Sequence, residues 1–192
     1  MSRNAKFDKE IRLLKGKLKE DYNTLPFPKT PEYDIEERGI YLIEEMLRTY
    51  EAKDTDYSHN GLPMGNLRSS EEVGVPAWKG TLIRLRDKKN RIVSFADRNE
   101  YKVEDEKIAD TLLDLSNYSL LCSILFREKH NSEEIVTNFR NLAFYSLACR
   151  LIYEYYNTSP DKDNFKPDKW KEECYHKMLE NSEAIAKFAR EN

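Results

Sequence analysis

The segment EDEKIADTLLDLSNYSLL, residues 104–121, sets acids where a buried helix would carry leucines. At about 100° per residue, Glu106, Asp110, Asp114 and Asn117 fall within one arc of about 80°. Ile108, Leu112, Leu113, Leu115 and Leu120 fill most of the remaining circumference, so the helix is expected to be buried and to carry a polar stripe. A buried carboxylate must be paired with a cation, bound to a metal or protonated, because an isolated buried charge is strongly unfavourable.

A second constellation lies in AWKGTLIRLRDKKNRIVSFA, residues 77–96. Arg84, Asp87, Lys88 and Arg91 follow i, i+3, i+4, i+7 spacing and share one face of a helix, with Leu82, Leu85, Ile92 and Val93 on the other side. The cations of this stripe have two available uses. They neutralise the acids of 106–114, or they reach the phosphates of a ligand while Asp87 joins those acids around a metal. Two or three carboxylates on facing helices make an all-oxygen site suited to Mg²⁺. Such an ion neutralises a triphosphate and activates water, leaving Arg or Lys to hold the remaining phosphate charge. From the residues alone, this site and an internal salt-bridge network that specifies packing stand as equal alternatives.

Other residues carry weaker signals. Glu36 shares a face with Ile35, Ile43 and Leu47 and offers one more carboxylate, although exposure on the first turn of its helix is the plainer reading. Lys53, Asp56 and Tyr57 stand where a helix enters a long polar stretch, and an Asx turn is the simplest role for Asp56. His59 has no visible Asp or Cys partner and reads as a turn residue. Trp78, after Pro76, reads as core, and the aromatic run of Phe144, Tyr145, Tyr153, Tyr155 and Tyr156 as core or subunit interface. A P-loop and a Ser or Cys nucleophile constellation are absent.

These residues need helices to position them, and the 192-residue chain reads as all-α: a bundle of about four core helices with additional N- and C-terminal helices. It carries six glycines, few alternating runs and many segments of 3.6 period. Helices are expected near 4–20, 35–52, 77–96, 105–129, 132–157 and 167–190. The prolines of NTLPFPKTPEYD, residues 23–34, mark a linker, with Asp34 placed to cap the second helix. Asn131 with Glu134 resembles a capping box. Residues 53–76 read as an irregular loop over the mouth of a pocket, since a loop of that length is seldom idle. The organisation expected is an N-terminal helix and linker over 1–34, a helical core over 35–130 and a C-terminal helical extension over 131–192.

Composition narrows the partners. Net charge is −3 with 35% charged residues, so the overall balance does not suggest nucleic acid or an anionic membrane surface. Seven Lys and Arg against three acids in residues 1–20 make the first helix locally basic, which reads as solvated surface. Cys122, Cys149 and Cys174 are odd in number and widely spaced, giving neither a disulfide framework nor a zinc signature. With no apolar run long enough to span a bilayer and no signal-like N-terminus, a reducing cytoplasmic setting is expected.

KDTDY at 53–57, RLRDKKNRI at 84–92 and EDEKIADTLLDLSNY at 104–118 resemble the three signature segments of the nucleotide-modification-associated domain 1 family, found largely in bacteriophages. GVPAWKGTLIRLRDK at 74–88 and LLCSILFRE at 120–128 extend the resemblance over about residues 35–130. The last motif is also similar to the second acidic helix of the all-α NTP pyrophosphatases, the MazG and dimeric dUTPase group. There a Glu and an Asp one turn apart bind Mg²⁺. The resemblance implies Glu106 and Asp110 as metal ligands and Asp87 or Asp114 as the group that completes the metal site or orients water. Arg84, Lys88 and Arg91 would grip phosphates, with Lys53 and Asp56 also at the substrate. It further implies a dimer or tetramer. The earlier helix departs from the Glu-x-x-Glu pair of those enzymes, offering Asp87 among three cations. Two functions are therefore expected: a Mg²⁺-dependent (deoxy)nucleoside triphosphate pyrophosphohydrolase, or a non-catalytic protein that binds or sequesters a nucleotide or nucleotide signal.

Overall fold

The computed structural model describes residues 5–25, 34–57, 64–98, 108–158 and 174–192. Among these residues the chain is helical and has no strand, as its sparse glycines and 3.6-residue periodicity predict. The helices are α1 (Ala5–Asp21), α2 (Ile35–Tyr57), α3 (Gly65–Arg68), α4 (Ala77–Arg98), α5 (Ile108–Arg127), α6 (Glu133–Thr158) and α7 (His176–Glu191). Short 3₁₀ turns follow α1 at Tyr22–Thr24 and α3 at Ser69–Val73.

Local chemistry sets the boundaries. The Glu37 backbone N–H donates to Asp34 Oδ1 at 2.9 Å, so Asp34 caps α2 as expected. At α6 the cap is Ser132 and not Asn131: the Ile135 N–H donates to Ser132 Oγ at 3.4 Å. Ser132 lies three residues before Ile135, the reach that an N-cap hydroxyl requires in a helix beginning at Glu133. Lys79 and Gly80 donate their N–H groups to the Pro76 carbonyl at 2.9 and 3.1 Å, so α4 begins at a proline whose missing N–H the helix does not need.

The expected loop over 53–76 is corrected. KDTDY contains neither glycine nor proline, so α2 continues to Tyr57, and the chain is helical again from Gly65. Gly74 then ends the 3₁₀ turn with φ of +77°, a conformation that favours glycine. Gly80 of α4 lies so close to Ser70 that a Cβ at position 80 would collide with the serine side chain. That close approach seats the 64–73 segment on α4.

α5 lies at the centre of the bundle, packed most extensively on α6 and then on α4. Small residues permit the approach of α5 and α6. Ser116 Oγ donates across the interface to the Ala143 carbonyl at 2.8 Å, and Ser119 and Ser146 donate to carbonyls one turn back in their own helices. Trp78 is buried in the core, and Cys122 Sγ donates to its carbonyl at 3.2 Å. The three cysteines are buried and form no disulfide, and burial holds the Cys122 and Cys149 thiols protonated well above the ordinary range. The terminal helices pack on this bundle and share its core, through Phe7 and Leu18 of α1 and Met178 and Ile185 of α7, all fully buried.

Among the described residues the most deeply buried carboxylate stands outside the acidic helix α5. It is Glu10 of α1, 3% exposed, held by Arg140 of α6 through two hydrogen bonds of 2.7 Å. Further along α6, Glu154 receives Arg38 of α2 at 2.9 Å and Arg150 at 2.6 Å. Burial alone would raise the Glu154 pKa, but these two guanidinium donors outweigh it and hold the carboxyl below its usual range. No helix among the described residues is long and apolar enough to cross a membrane.

Candidate functional site

Among the described residues the charged stripe of α4 and the acidic stripe of α5 meet at Asp114. Lys88 Nζ lies 2.8 Å from Asp114 Oδ2, and Lys53 Nζ of α2 approaches Asp114 Oδ1 from the other side at 3.9 Å. Three helices therefore bring two cations to one carboxylate. The Lys88 and Asp114 side chains are 23% and 28% exposed, so the pair is half-buried and still wetted.

Helix geometry explains why Lys88 alone of its stripe reaches inward among the described residues. At about 100° per residue, Lys88 lies about 60° from the fully buried Leu85, whereas Arg84, Arg91 and Asp87 lie about 100°, 120° and 160° away. Those three are exposed on the solvent side of α4. The i, i+3, i+4, i+7 pattern marks a shared face correctly, but the core takes its edge and solvent takes its centre.

Beside Asp114 opens a small cleft. Tyr50 and Lys53 of α2, Asn66 and Leu67 of α3, and Asp114, Asn117, Tyr118 and Leu121 of α5 line it around a space of about 30 Å³. That is about one water molecule's share of liquid volume. Asn117 is only 8% exposed, and its buried Oδ1 has no hydrogen-bond partner. A buried carbonyl oxygen without a donor is unfavourable, and such atoms in folded proteins call for an explanation.

The wall that α3 contributes is fixed from behind. Arg68 donates to both Glu128 oxygens, at 2.9 and 2.8 Å, and Lys6 of α1 reaches the same carboxylate at 3.1 Å. Burial would raise the Glu128 pKa; the hydrogen bonds from Arg68 and Lys6 reverse that and lower it. Asn66 and Leu67 are thereby held against the cleft by the residue that follows them.

Scans against protein-family models, curated proteins and solved structures gave no match.

The remaining expected site residues are placed as follows. Asp110 is exposed on the first turn of α5. Glu106 and His59 lie outside the described residues, as does the side chain of Asp56 in the last turn of α2. Glu36 is half-buried and lies 4.0 Å from Lys19. Among the described residues no group of three or more His, Cys, Asp or Glu is arranged to hold a metal. Sequence reasoning did not anticipate Tyr50, Asn66, Leu67 or Tyr118 at the site. Tyr50 stands one turn before Lys53, and Tyr118 ends the SNY triplet, so both had a positional signal. Asn66 and Leu67 had none, because their helix was itself unexpected.

Proposed function

We propose that this chain is a nucleotide-metabolism protein, a Mg²⁺-dependent (deoxy)nucleoside triphosphate pyrophosphohydrolase whose phosphate-binding centre is the Lys53, Lys88 and Asp114 cluster. The observation that carries the reading is the convergence of two lysines from α2 and α4 on one carboxylate of α5. A phosphate chain of several negative charges is a stronger partner for two ammonium groups than one carboxylate is. On binding, Lys53 and Lys88 turn from Asp114 to the phosphate oxygens. Asp114 is then left with an uncompensated charge and is free to accept a proton from water or to bind a cation.

Asp114 and Asp110, one turn apart on α5, are the carboxylates that would offer oxygens to a hard divalent ion once the lysines turn to phosphate. When bound, Mg²⁺ supplies charge neutralisation and a polarised phosphoryl group. The chain's own residues orient the phosphates through the lysines and close the inner end of the cleft with Leu67 and Leu121. Arg84, Asp87 and Arg91 are left without a role inside the cleft; on the solvent side of α4 their place is at an outer phosphate or a subunit contact. The proposal includes a cytoplasmic homo-oligomer, dimer or tetramer, in the cytoplasm of an infected cell if the chain is phage-encoded.

One observation favours a second reading, a non-catalytic nucleotide binder. Asp114, the carboxylate lining the cleft, is already neutralised by two lysines, which suits phosphate capture better than multi-metal hydrolysis. Pyrophosphate release from each dNTP and NTP in Mg²⁺ separates the two. Turnover that disappears in Asp110→Asn and Asp114→Asn with the fold retained supports the enzyme. Binding without turnover in Mg²⁺ or Mn²⁺ decides for the binder. If no nucleotide binds, both readings fail.

A further inference from the structure

We infer that Asn117 is a ligand-recognition residue: its Oδ1 accepts a hydrogen bond from the 3′-hydroxyl of the bound nucleotide's sugar. The inference rests on the nucleotide reading above but goes beyond it, since that reading concerns only phosphate and metal. Three observations combine. Asn117 lines the cleft, it is 8% exposed, and its Oδ1 is buried with no hydrogen-bond partner. A buried acceptor in this position calls for a donor from the molecule that enters the cleft.

Size narrows that donor. The space of about 30 Å³ within the cleft has room for one small group such as a hydroxyl, an amino group or a water. Position then selects among small donors. Asn117 follows Asp114 by three residues, a rise of about 4.5 Å along α5, so the donor sits one turn from the cations that would hold the phosphates. In a nucleoside triphosphate the groups that close to the phosphate chain belong to the sugar. The 3′-hydroxyl is the one that ribo and deoxy forms share. The hydroxyl alone enters this space, with the sugar ring at its mouth beside Tyr50 and Tyr118, which flank the cleft.

The arrangement resembles a site shaped to reject an analogue that lacks a hydroxyl. Such sites discriminate strongly because the unmatched polar group stays unsatisfied in the wrong complex. They also leave the empty protein less stable than it would be with an apolar residue in place. Asn117→Leu preserves the side chain's size and removes the orphan, so it should unfold at the same temperature or higher.

The test is calorimetric titration of the full chain with matched dNTPs and 2′,3′-dideoxy-NTPs, with Ca²⁺ replacing Mg²⁺ to hold back turnover. Wild-type protein should bind the dNTP about 10-fold or more tightly than its dideoxy partner, the ratio that leaving one buried acceptor unmatched implies. Asn117→Leu should erase that ratio without lowering the melting temperature. Equal affinities in the wild type would overturn the inference and leave the nucleotide reading standing, with a water satisfying Asn117. Affinities that rank by the base's amino group and ignore the 3′ position would overturn it too, since the donor would then be the base. A ratio that persists in Asn117→Leu assigns hydroxyl recognition to another residue and also overturns it. Absence of all nucleotide binding removes the underlying reading and the inference with it. The wild-type comparison needs no variant, so it decides even if Asn117→Leu fails to fold.

Discussion

Replacing Lys88 by methionine separates the structural role of the cluster from its functional one. The Lys88–Asp114 pair is 2.8 Å long, with side chains 23% and 28% exposed. Partly wetted ion pairs contribute little net stability, about 0.2–1 kcal/mol when fully exposed. Removing one partner of a deeply buried pair costs about 3–5 kcal/mol because a bare charge is left in the core. That penalty does not arise at Asp114, which stays hydrated and keeps Lys53 at 3.9 Å. The expected loss for Lys88→Met is therefore about 1 kcal/mol, near the upper end of the exposed range, a fall of about 2–4 °C for a chain of this length. The loss of nucleotide affinity should be much larger. A hydrogen bond to a charged group contributes about 1.5–3 kcal/mol, so a lost contact between ammonium and phosphate weakens binding about 10- to 150-fold. Lys88→Arg, which keeps the charge, should recover part of it. Urea unfolding followed by circular dichroism and calorimetric titration with a dNTP measure the two effects side by side. Unchanged affinity beside the small stability loss would take Lys88 out of phosphate binding. A loss of several kcal/mol in stability would show that Asp114 is effectively buried and that the cluster is a packing device.

Two further predictions concern the scaffold. Glu10 is 3% exposed and relies on Arg140, so Arg140→Met should cost about 2–4 kcal/mol, whereas the Glu10→Leu/Arg140→Met double variant should regain most of it. Chemical denaturation of the three proteins checks this, and a single-variant loss under about 0.5 kcal/mol would place Glu10 in contact with water. Stability should also fall in acid. The Glu128 and Glu154 carboxyls lie below the usual 4.5 in the folded chain. Their contribution is thus fully present above the unfolded value and is lost as pH falls through the folded values. Melting temperatures from pH 6 down to pH 3 should drop below about pH 4.5, less steeply in Glu128→Gln/Glu154→Gln. An identical slope in that variant would assign the acid transition to other carboxylates.

Helix positions were readable from the sequence because their signals are local. Periodicity places α1, α2, α4, α5 and α6 within a few residues of their observed spans, and Asp34 announces its cap. What was not readable depends on tertiary contact. Polar composition made 53–76 look irregular, although Gly80 admits Ser70 against α4 and Arg68 ties α3 to Glu128. No local pattern encodes either contact. The α4 stripe shows the same limit at higher resolution. Spacing groups Arg84, Asp87, Lys88 and Arg91 on one face, but only the neighbours of α4 determine that the edge of that face, Lys88, turns toward α5.

The carboxylates of the acidic helix were puzzling because a hydrophobic segment seemed to bury them, and the fold distributes that puzzle over two places. Where a carboxylate is truly buried, at Glu10, it has a bidentate guanidinium and nothing is left unsatisfied on that acid. This is the arrangement expected of a charge kept for packing. Around Asp114 the accounting does not close: the lysines stay part-exposed, the carboxylate stays wet, and three residues along the helix Asn117 keeps a buried oxygen with no donor. A chain selected only to fold would replace Asn117 with leucine at no loss, since satisfied or apolar cores are more stable than half-satisfied ones. Local violations of that kind are expected where a site serves a ligand. It is this contrast between a completed polar contact at Glu10 and an incomplete one at Asn117, more than the number of acids on α5, that supports the proposed ligand site in the cleft.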